Sequence, residues 1–368
     1  MKSNKKNQII FFFPLFELGG VEKNFLIISN YIANQLKHFS FYLITFKRSE
    51  FLKKNINKNI RISFLELKIS FLSRRMKFIY CMYKLFIRCL NNPQASIFSF
   101  QGNFYALIVA IILKRKIIIR SNISPEGWSE NYLKKKIFKF LLSKSDLIIV
   151  NGEEFKKKFK KFFNLNAVKI YNPIIKEKKN TNFKNNFFQK KTINLINIGR
   201  LVKQKNQSEI IEALSTIKYK DEFRLLIIGQ GPEKKNLIDL IKRKKLKKLI
   251  KISNDQKNKN FYLERSNIFI LSSIYEGFPN VLLEAAIKRK YIISSDCPTG
   301  PKELIKFYKY GELYKKNSIY QLSKIFEKIS INKKIFSKNK KEISLNHTIF
   351  NSQDNLKKYK KELLNIVT

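Results

Sequence analysis

Short apolar runs separated by longer amphipathic stretches recur along this chain, stop once, and begin again. The first series comprises Ile9–Phe13, Phe41–Phe46, Ile60–Leu65, Ser96–Phe100, Lys116–Arg120, Leu147–Val150 and Val168–Tyr171. The second comprises Ile193–Arg200, Phe223–Gly231, Leu249–Asn254, Asn267–Ser273 and Tyr291–Asp296. Runs apolar on both faces, each followed by a helical pattern, predict βα units around a parallel sheet. Between the two series, Asn172–Lys191 is polar, rich in Asn and Lys, and opens on a proline, as a linker does. The expected architecture is α/β, with two parallel-sheet domains facing a central cleft. Its boundaries are 1–172 for the first domain, 173–191 for the linker, 192–349 for the second domain and 350–368 for a closing helix. A length of 368 residues suits two such domains. Ligands in parallel sheets collect at the C-terminal ends of strands.

Charge narrows the partners. With 75 Lys+Arg against 27 Asp+Glu the formal charge is +48, which invites a nucleic-acid reading. Yet the basic residues lie in scattered runs such as Lys156–Lys161 and Lys242–Lys248, without aromatic interleaving or a zinc-finger or RNP signature, so no specific nucleic acid is expected. Solvated faces under A+T-rich coding account for most of the excess. An anionic membrane surface is the acidic partner left open. Cys81, Cys89 and Cys297 are spread apart and the histidines are His38 and His347, so neither a metal cage nor a disulfide framework is expected, and a reduced cytoplasm fits. The basic N-terminus and "QIIFFFPLF" resemble a signal peptide until Pro14 and "ELGGVEKNF" interrupt them without a cleavage site. Phe104–Leu113 falls far short of the roughly 18 apolar residues of a membrane span.

The most informative stretch is "YEGFPNVLLEAA", Tyr275–Ala286. Pro279 after a strand predicts a helix start, which would turn the amides of Asn280, Val281 and Leu282 toward a ligand such as a diphosphate. Side chains lean toward a helix N-terminus, so Glu284 reaches back over that site while Glu276 approaches from the strand end. Carboxylates suit sugar hydroxyls better than phosphate. Together they point to a nucleotide-linked sugar. Taken alone, the two glutamates would more readily mark a solvated helix start favoured by the dipole, and it is the surrounding residues that shift the reading.

In "NIGRLVKQKN" a strand ends at Gly199, and Arg200 and Lys205 follow as two cations able to clamp a diphosphate; in so basic a chain either could be plain surface charge. Gly19 and Gly20, between the first strand and a helix, permit either close ligand approach or only a tight turn. Gly229 and Gly231 read as structural. No GxGxxG or P-loop follows a strand, and the six aspartates form no DxD, so a metal-held diphosphate is not expected.

These segments together resemble the retaining glycosyltransferases of GT-B fold in glycosyltransferase family 4. "EGFPNVLLEA" looks like the family's E-x7-E segment, with Glu276 and Glu284 in the glutamate positions. "GRLVKQKN" resembles its donor-phosphate segment, "LGGVEK" its N-terminal glycine loop, "IYNPI" the end of its first domain, and "DCPTGPKELI" the segment after the E-x7-E helix. The resemblance implies two Rossmann-like domains and metal-independent transfer, with retained anomeric configuration, from a UDP- or GDP-linked sugar to a hydroxyl of a glycan acceptor. No cofactor beyond that co-substrate is implied. Arg200 and Lys205 would stabilise the departing diphosphate, Glu284 would hold the ribose and Glu276 the donor sugar.

The chain departs from the pattern in two places. A histidine common near the transferred sugar is absent, and "SFQGN" offers Gln101 or Asn103; Asn254 replaces a glycine beside the base. Arg120 and Asn122, in "IIIRSNISPEGW", are further acceptor-side candidates, this segment resembling one found in relatives that act on surface polysaccharides. Phe71–Leu90 places Phe71, Leu72, Ile79, Tyr83, Phe86, Ile87 and Leu90 largely on one face, for the chain's own sheet or for the inner face of the cell membrane. The membrane alternative implies a lipid-linked acceptor and a role in polysaccharide or lipopolysaccharide assembly. The competing reading is an inactive glycosyltransferase-like subunit that binds nucleotide or glycan.

Overall fold

The computed structural model describes residues 7–16, 19–47, 49–64, 72–122, 125, 131–174, 187–336 and 350–368. The chain forms two compact units, residues 1–175 with 348–368 and residues 176–347.

In the first unit the strands are β1 (Gln8–Phe12), β2 (Ser40–Ile44), β3 (Ile60–Ser63), β4 (Ser96–Ser99), β5 (Ile117–Ser121), β6 (Leu147–Val150) and β7 (Val168–Lys169). Helices α1 (Gly20–Gln35), α2 (Glu50–Asn55), α3 (Arg74–Leu90), α4 (Asn103–Ile112), α5 (Tyr132–Ser143) and α6 (Glu153–Phe163) connect them. All seven strands are parallel, in the order β3-β2-β1-β4-β5-β6-β7. Strand side chains alternate between faces, so Ile9, Phe11 and Phe13 enter one core layer and Ile10 and Phe12 the other. Phe11 packs against Phe41, with ring centroids 5.9 Å apart, and edge-on against Phe25 at 5.8 Å. Each such phenylalanine contributes about 1.5–3 kcal/mol by burial.

The second unit repeats the plan with β8 (Ile193–Ile198), α7 (Gln207–Thr216), β9 (Phe223–Ile228), α8 (Lys234–Arg243), β10 (Ile250–Ser253), α9 (Lys259–Arg265), β11 (Ile268–Leu271), α10 (Asn280–Ile287), β12 (Tyr291–Ser295), α11 (Pro301–Tyr308), β13 (Gly311–Tyr314) and α12 (Ile319–Ile331). Its six parallel strands run β10-β9-β8-β11-β12-β13. The order reverses between β8 and β11, which makes their C-terminal ends the place where a crevice opens in such a sheet.

The last helix, α13 (Ser352–Val367), belongs to the first unit, where Leu356, Tyr359 and Leu363 join the core layer that α1 covers. Most of the stretch expected to be a linker, residues 175–186, lies outside the described residues. Strand β13 is an edge strand that the apolar-run pattern does not announce.

Candidate functional site

The loop after β8 and the loop after β11 are stapled to one another. Ser272 Oγ donates to the Lys205 carbonyl (2.8 Å), the Ile274 amide to the Gln204 carbonyl (2.9 Å) and Gln204 Nε2 to the Tyr275 carbonyl (2.8 Å). Lys205 closes a short 3-10 turn, Lys203–Lys205, and its aliphatic stem passes close over Gly199. Its ammonium is thereby aimed at Glu276: Lys205 Nζ bonds Glu276 Oε1, which also accepts from Ser273 Oγ at 2.5 Å. An ammonium has three donors, so two remain for a ligand beside this partner. Arg200 is exposed, and its guanidinium makes no hydrogen bond or ion pair among the described residues.

Helix α10 begins at Asn280, with Pro279 at its N-cap in an extended conformation (φ −71°, ψ 108°). Leu282, Leu283, Ala285 and Ala286 are buried, which leaves Asn280, Val281 and Glu284 on the half-buried face. One expectation is corrected here. The Leu282 amide is not open to a ligand, because it donates to the Pro279 carbonyl at 3.0 Å and closes the first turn; the Leu282 side chain is fully buried.

Glu284 has a partner that sequence reasoning missed. Lys259, in the first turn of α9, donates through Nζ to Glu284 Oε2, and both side chains are largely buried. Among 75 basic residues nothing in the local sequence sets Lys259 apart. Each glutamate of the pair is thus held by a lysine from another strand–helix connection.

The turn carrying Glu276 is propped from behind by the segment after β12. Thr299 Oγ1 donates to the Glu276 carbonyl and lies 3.2 Å from the Gly277 carbonyl. Thr299 has φ +68°, a conformation a β-branched residue adopts only when its surroundings impose it. Gly300 follows at φ +101°, where a Cβ would sit 2.8 Å from Pro279 Cδ. On the other side, a Cβ at Gly229 would lie 1.9 Å from the Gly199 carbonyl oxygen and one at Gly231 2.2 Å from that of Leu201. Those glycines let the loop after β9 pack on the loop bearing Arg200.

Cysteine chemistry finds no support. Burial, reinforced by the Glu276 charge, pushes the Cys297 thiol up to about 12, and burial does the same at Cys81 and Cys89.

Residues 178–346, essentially the second unit, match the family model described as glycosyl transferases group 1. The match spans the second unit and just under half of the chain. Beyond that match, the chain is 28% identical over 326 residues to an uncharacterized glycosyltransferase of Methanocaldococcus jannaschii, covering 82% of this chain and 78% of that one. It is 26% identical over 259 residues to the Campylobacter jejuni N-acetylgalactosamine-N,N'-diacetylbacillosaminyl-diphospho-undecaprenol 4-alpha-N-acetylgalactosaminyltransferase, covering 67% and 70%. Among solved structures it is similar to Anabaena HepE in complex with UDP-glucose, with a TM-score of 0.74 and 16% identity over 97% of this chain and 99% of that one. At that identity the likeness establishes the fold, GT-B.

In the first unit, the glycosyltransferase fold places the remaining candidates at the C-terminal ends of β1, β4 and β5. Gly19 caps α1 in extended backbone (φ −143°) that any residue could adopt, and Gly20 opens the helix; both are exposed. Gln101 Oε1 accepts from the Leu15 amide at 2.7 Å, pinning the loop after β1. Asn103 accepts from Ser99 Oγ at 2.8 Å and donates to the Arg120 carbonyl at 3.1 Å. Asn122 donates to the Phe100 carbonyl at 3.0 Å.

Arg120 as an acceptor contact is a correction. Its side chain is 0% exposed, and Nε donates to Tyr359 Oη at 2.8 Å while the two terminal nitrogens donate to Asn122 and Asn172. It fastens α13 to the end of β5, and no ligand reaches it. Of the segment around it, residues 123–124 and 126–130 lie outside the described residues. His38 is exposed in the turn before β2, at the opposite end of the sheet from the strand C-termini, and His347 lies outside the described residues.

Proposed function

We propose that the protein transfers a sugar from a nucleoside diphosphate sugar, UDP-linked in the first instance, to a hydroxyl of a lipid-linked glycan in cell-surface polysaccharide or lipopolysaccharide assembly. The observation that carries this reading is the convergence of Arg200, the Lys205–Glu276 pair and the Lys259–Glu284 pair at the ends of strands next to the switch point of the unit that matches glycosyl transferases group 1. The Campylobacter relative's diphospho-undecaprenol acceptor and the UDP-glucose of the Anabaena neighbour support the substrate classes.

In this reading the donor's diphosphate lies against Arg200 and the unpaired donors of Lys205, which stabilise the charge that grows as the bond from C1 to the diphosphate oxygen breaks. The acceptor oxygen forms its bond to C1 with retention, and its proton passes to the departing diphosphate. Oxygens of Glu276 and Glu284 not engaged by their lysines accept from sugar and ribose hydroxyls. No metal is needed where two cations meet the leaving group. Gln101, Asn103 and Asn122 are the proposed acceptor-side contacts.

Thermal unfolding with UDP, GDP, ADP and CDP tests the donor site. A nucleotide at about 100 times its Kd should stabilise the native state by about 2.7 kcal/mol. Stabilisation by one nucleotide, lost in Arg200→Ala and Glu284→Ala, is the expected result; no response to any of them overturns the reading. Binding without transfer or donor hydrolysis across acceptors would instead identify a nucleotide-binding subunit.

A further inference from the structure

Helices α3, α4 and α5 lie side by side against one core layer of the first unit. Helix α3 packs on α4 and α4 on α5, with Phe78 against Tyr105 (5.3 Å between centroids) and Phe104 stacked on Phe138 (4.1 Å). Their inward stripes account for folding: Phe78, Cys81, Leu85 and Cys89 of α3 are buried, as are Ala106, Leu107, Val109 and Ala110 of α4. Each helix carries a second apolar stripe on its outer side. On α3 it is Met76, Ile79, Tyr83, Ile87 and Leu90, spaced three or four residues apart and exposed. Leu72 and Phe86, which the sequence grouped with that face, instead pack toward the core, and Phe71 lies outside the described residues. On α4 the outer stripe is Ile108 and Ile112; on α5 it is Leu133, Ile137 and Phe140, with Tyr132 beside them.

Tyr132 and Leu133 each keep 68% of their surface exposed, so nothing among the described residues covers them. The other exposed large apolar residues, such as Phe51, Tyr219 and Tyr320, are scattered singly. The charge carried by the three helices themselves has one sign, although Glu126 and Glu130 precede α5 in the sequence. No Asp or Glu occurs between residues 67 and 125, whereas Arg74, Arg75 and Lys84 lie on α3, Lys114 follows α4, and Lys134, Lys136 and Lys139 lie on α5. The Lys136 ammonium sits over the Tyr132 ring (4.9 Å) and that of Lys144 over Phe140 (5.4 Å). Aromatic and aliphatic side chains ringed by lysines suit a boundary where the apolar part enters the acyl region and the ammonium stays among phosphates. No helix among the described residues is long and apolar enough to cross a membrane, so this surface would lie on a bilayer.

We propose that the outer face of α3, α4 and α5 docks on an anionic lipid bilayer. A second copy of the chain would bring the lysines and arginines of these three helices against their own kind, with no Asp or Glu on the helices to pair them, which disfavours self-association through this face. An anionic bilayer matches both the apolar stripes and the sign of their surroundings. The proposal rests on the first unit alone and does not depend on the transferase reading.

Flotation of the full chain with vesicles of phosphatidylcholine, and of phosphatidylcholine mixed with phosphatidylglycerol, tests it. Binding is expected to the mixed vesicles, to weaken with salt, and to be far poorer with phosphatidylcholine alone. The triple change Tyr83→Ser, Ile137→Ser, Phe140→Ser should lower partitioning by at least about tenfold, and Lys134→Glu with Lys136→Glu should act in the same direction. These residues are at the surface, so thermal unfolding and the nucleotide-induced shift should match wild type, which separates a failure here from a failure of the donor site. Absent binding, equal binding to both vesicle types, or undiminished binding of both variants overturns the proposal. So does self-association in sedimentation that the triple change abolishes, which would assign the face to a second copy.

Discussion

Lys259 Nζ is bonded to Glu284 Oε2, tying the first turn of α9 to the polar face of α10. The two elements follow different strands, β10 and β11, that are not neighbours in the sheet, so the pair sets a distance that backbone pairing does not. A carboxylate held through one oxygen presents the other in a fixed direction. Lys259→Ala should therefore weaken nucleotide affinity by about tenfold, through loss of orientation in Glu284. It should also lower stability by about 1–3 kcal/mol, below the value for a fully buried pair because Glu284 keeps some solvent contact. Calorimetric titration with UDP alongside denaturant unfolding would read both. Unchanged nucleotide affinity together with lost stability would confine Lys259 to a structural role.

Arg200 and Lys205 are expected to divide by burial. Arg200 is exposed with no partner among the described residues, so Arg200→Ala should leave stability within about 0.5 kcal/mol of wild type. If it meets charge developing on the diphosphate, the same change should lower kcat by about 10²–10³. Lys205→Ala removes the partner of a buried carboxylate and should lower both activity and stability. A comparison of nucleoside monophosphate and diphosphate binding sharpens this, since only the diphosphate should lose affinity in the Arg200 variant. Equal losses for both nucleotides would place Arg200 away from the second phosphate.

The parallel-sheet architecture was legible because strands buried on both faces read as apolar runs. Ile9–Phe13 and Ile268–Leu271 have no polar alternation to confuse the period. Strand β13 was not legible: Gly311–Tyr314 is an edge strand with three of four residues half-buried, and its run of Gly, Glu, Leu and Tyr has no apolar continuity. The turn before α10 was readable from Pro279, since a missing N–H costs nothing at a helix start. The partners of Glu276 and Glu284 were not equally visible. Lys205 stood near a strand-terminal glycine, whereas Lys259 became significant only when β10 and β11 were placed in one sheet. Arg120 shows the reverse error. It sits at a strand C-terminus, where ligands collect, but its partner Tyr359 is 239 residues away in sequence and no local pattern announces it.

Thr299 supports the Glu276 turn through its hydroxyl and does so from a strained backbone. Thr299→Val keeps the shape and removes the hydroxyl, which leaves the Glu276 carbonyl without that donor in a buried setting. The expected cost is about 1–3 kcal/mol. Because Glu276 rides on this turn, activity should fall while Glu284-dependent nucleotide affinity is retained. A thermal-unfolding midpoint matching wild type would mean that the hydroxyl does not hold the turn.

Glu209 makes stability depend on pH. It is buried in the first turn of α7, where Oε2 accepts from Asn206 Nδ2 (3.0 Å) and Tyr314 Oη (3.3 Å) and the Ser318 backbone also lowers the carboxyl pKa, while Oε1 makes no hydrogen bond of ordinary geometry among the described residues. Burial pushes its carboxyl from 4.5 up to about 7, against the lowering effect of those hydrogen bonds, and the nearby Glu212 charge adds to the rise. Below about 4.5 the folded and unfolded chains both hold the proton, so there is no effect. Between about 4.5 and about 7 the folded chain keeps a proton that the unfolded chain has released. Stability therefore falls as pH rises through that window, by about 3 kcal/mol in all, and is level above it. Glu209→Gln, which cannot ionise, should remove this decline, so the variant should gain on wild type as pH goes from 5 to 8. Unfolding midpoints of the two chains at those pH values are the measurement. Parallel decline in both would show that Glu209 titrates no differently folded than unfolded.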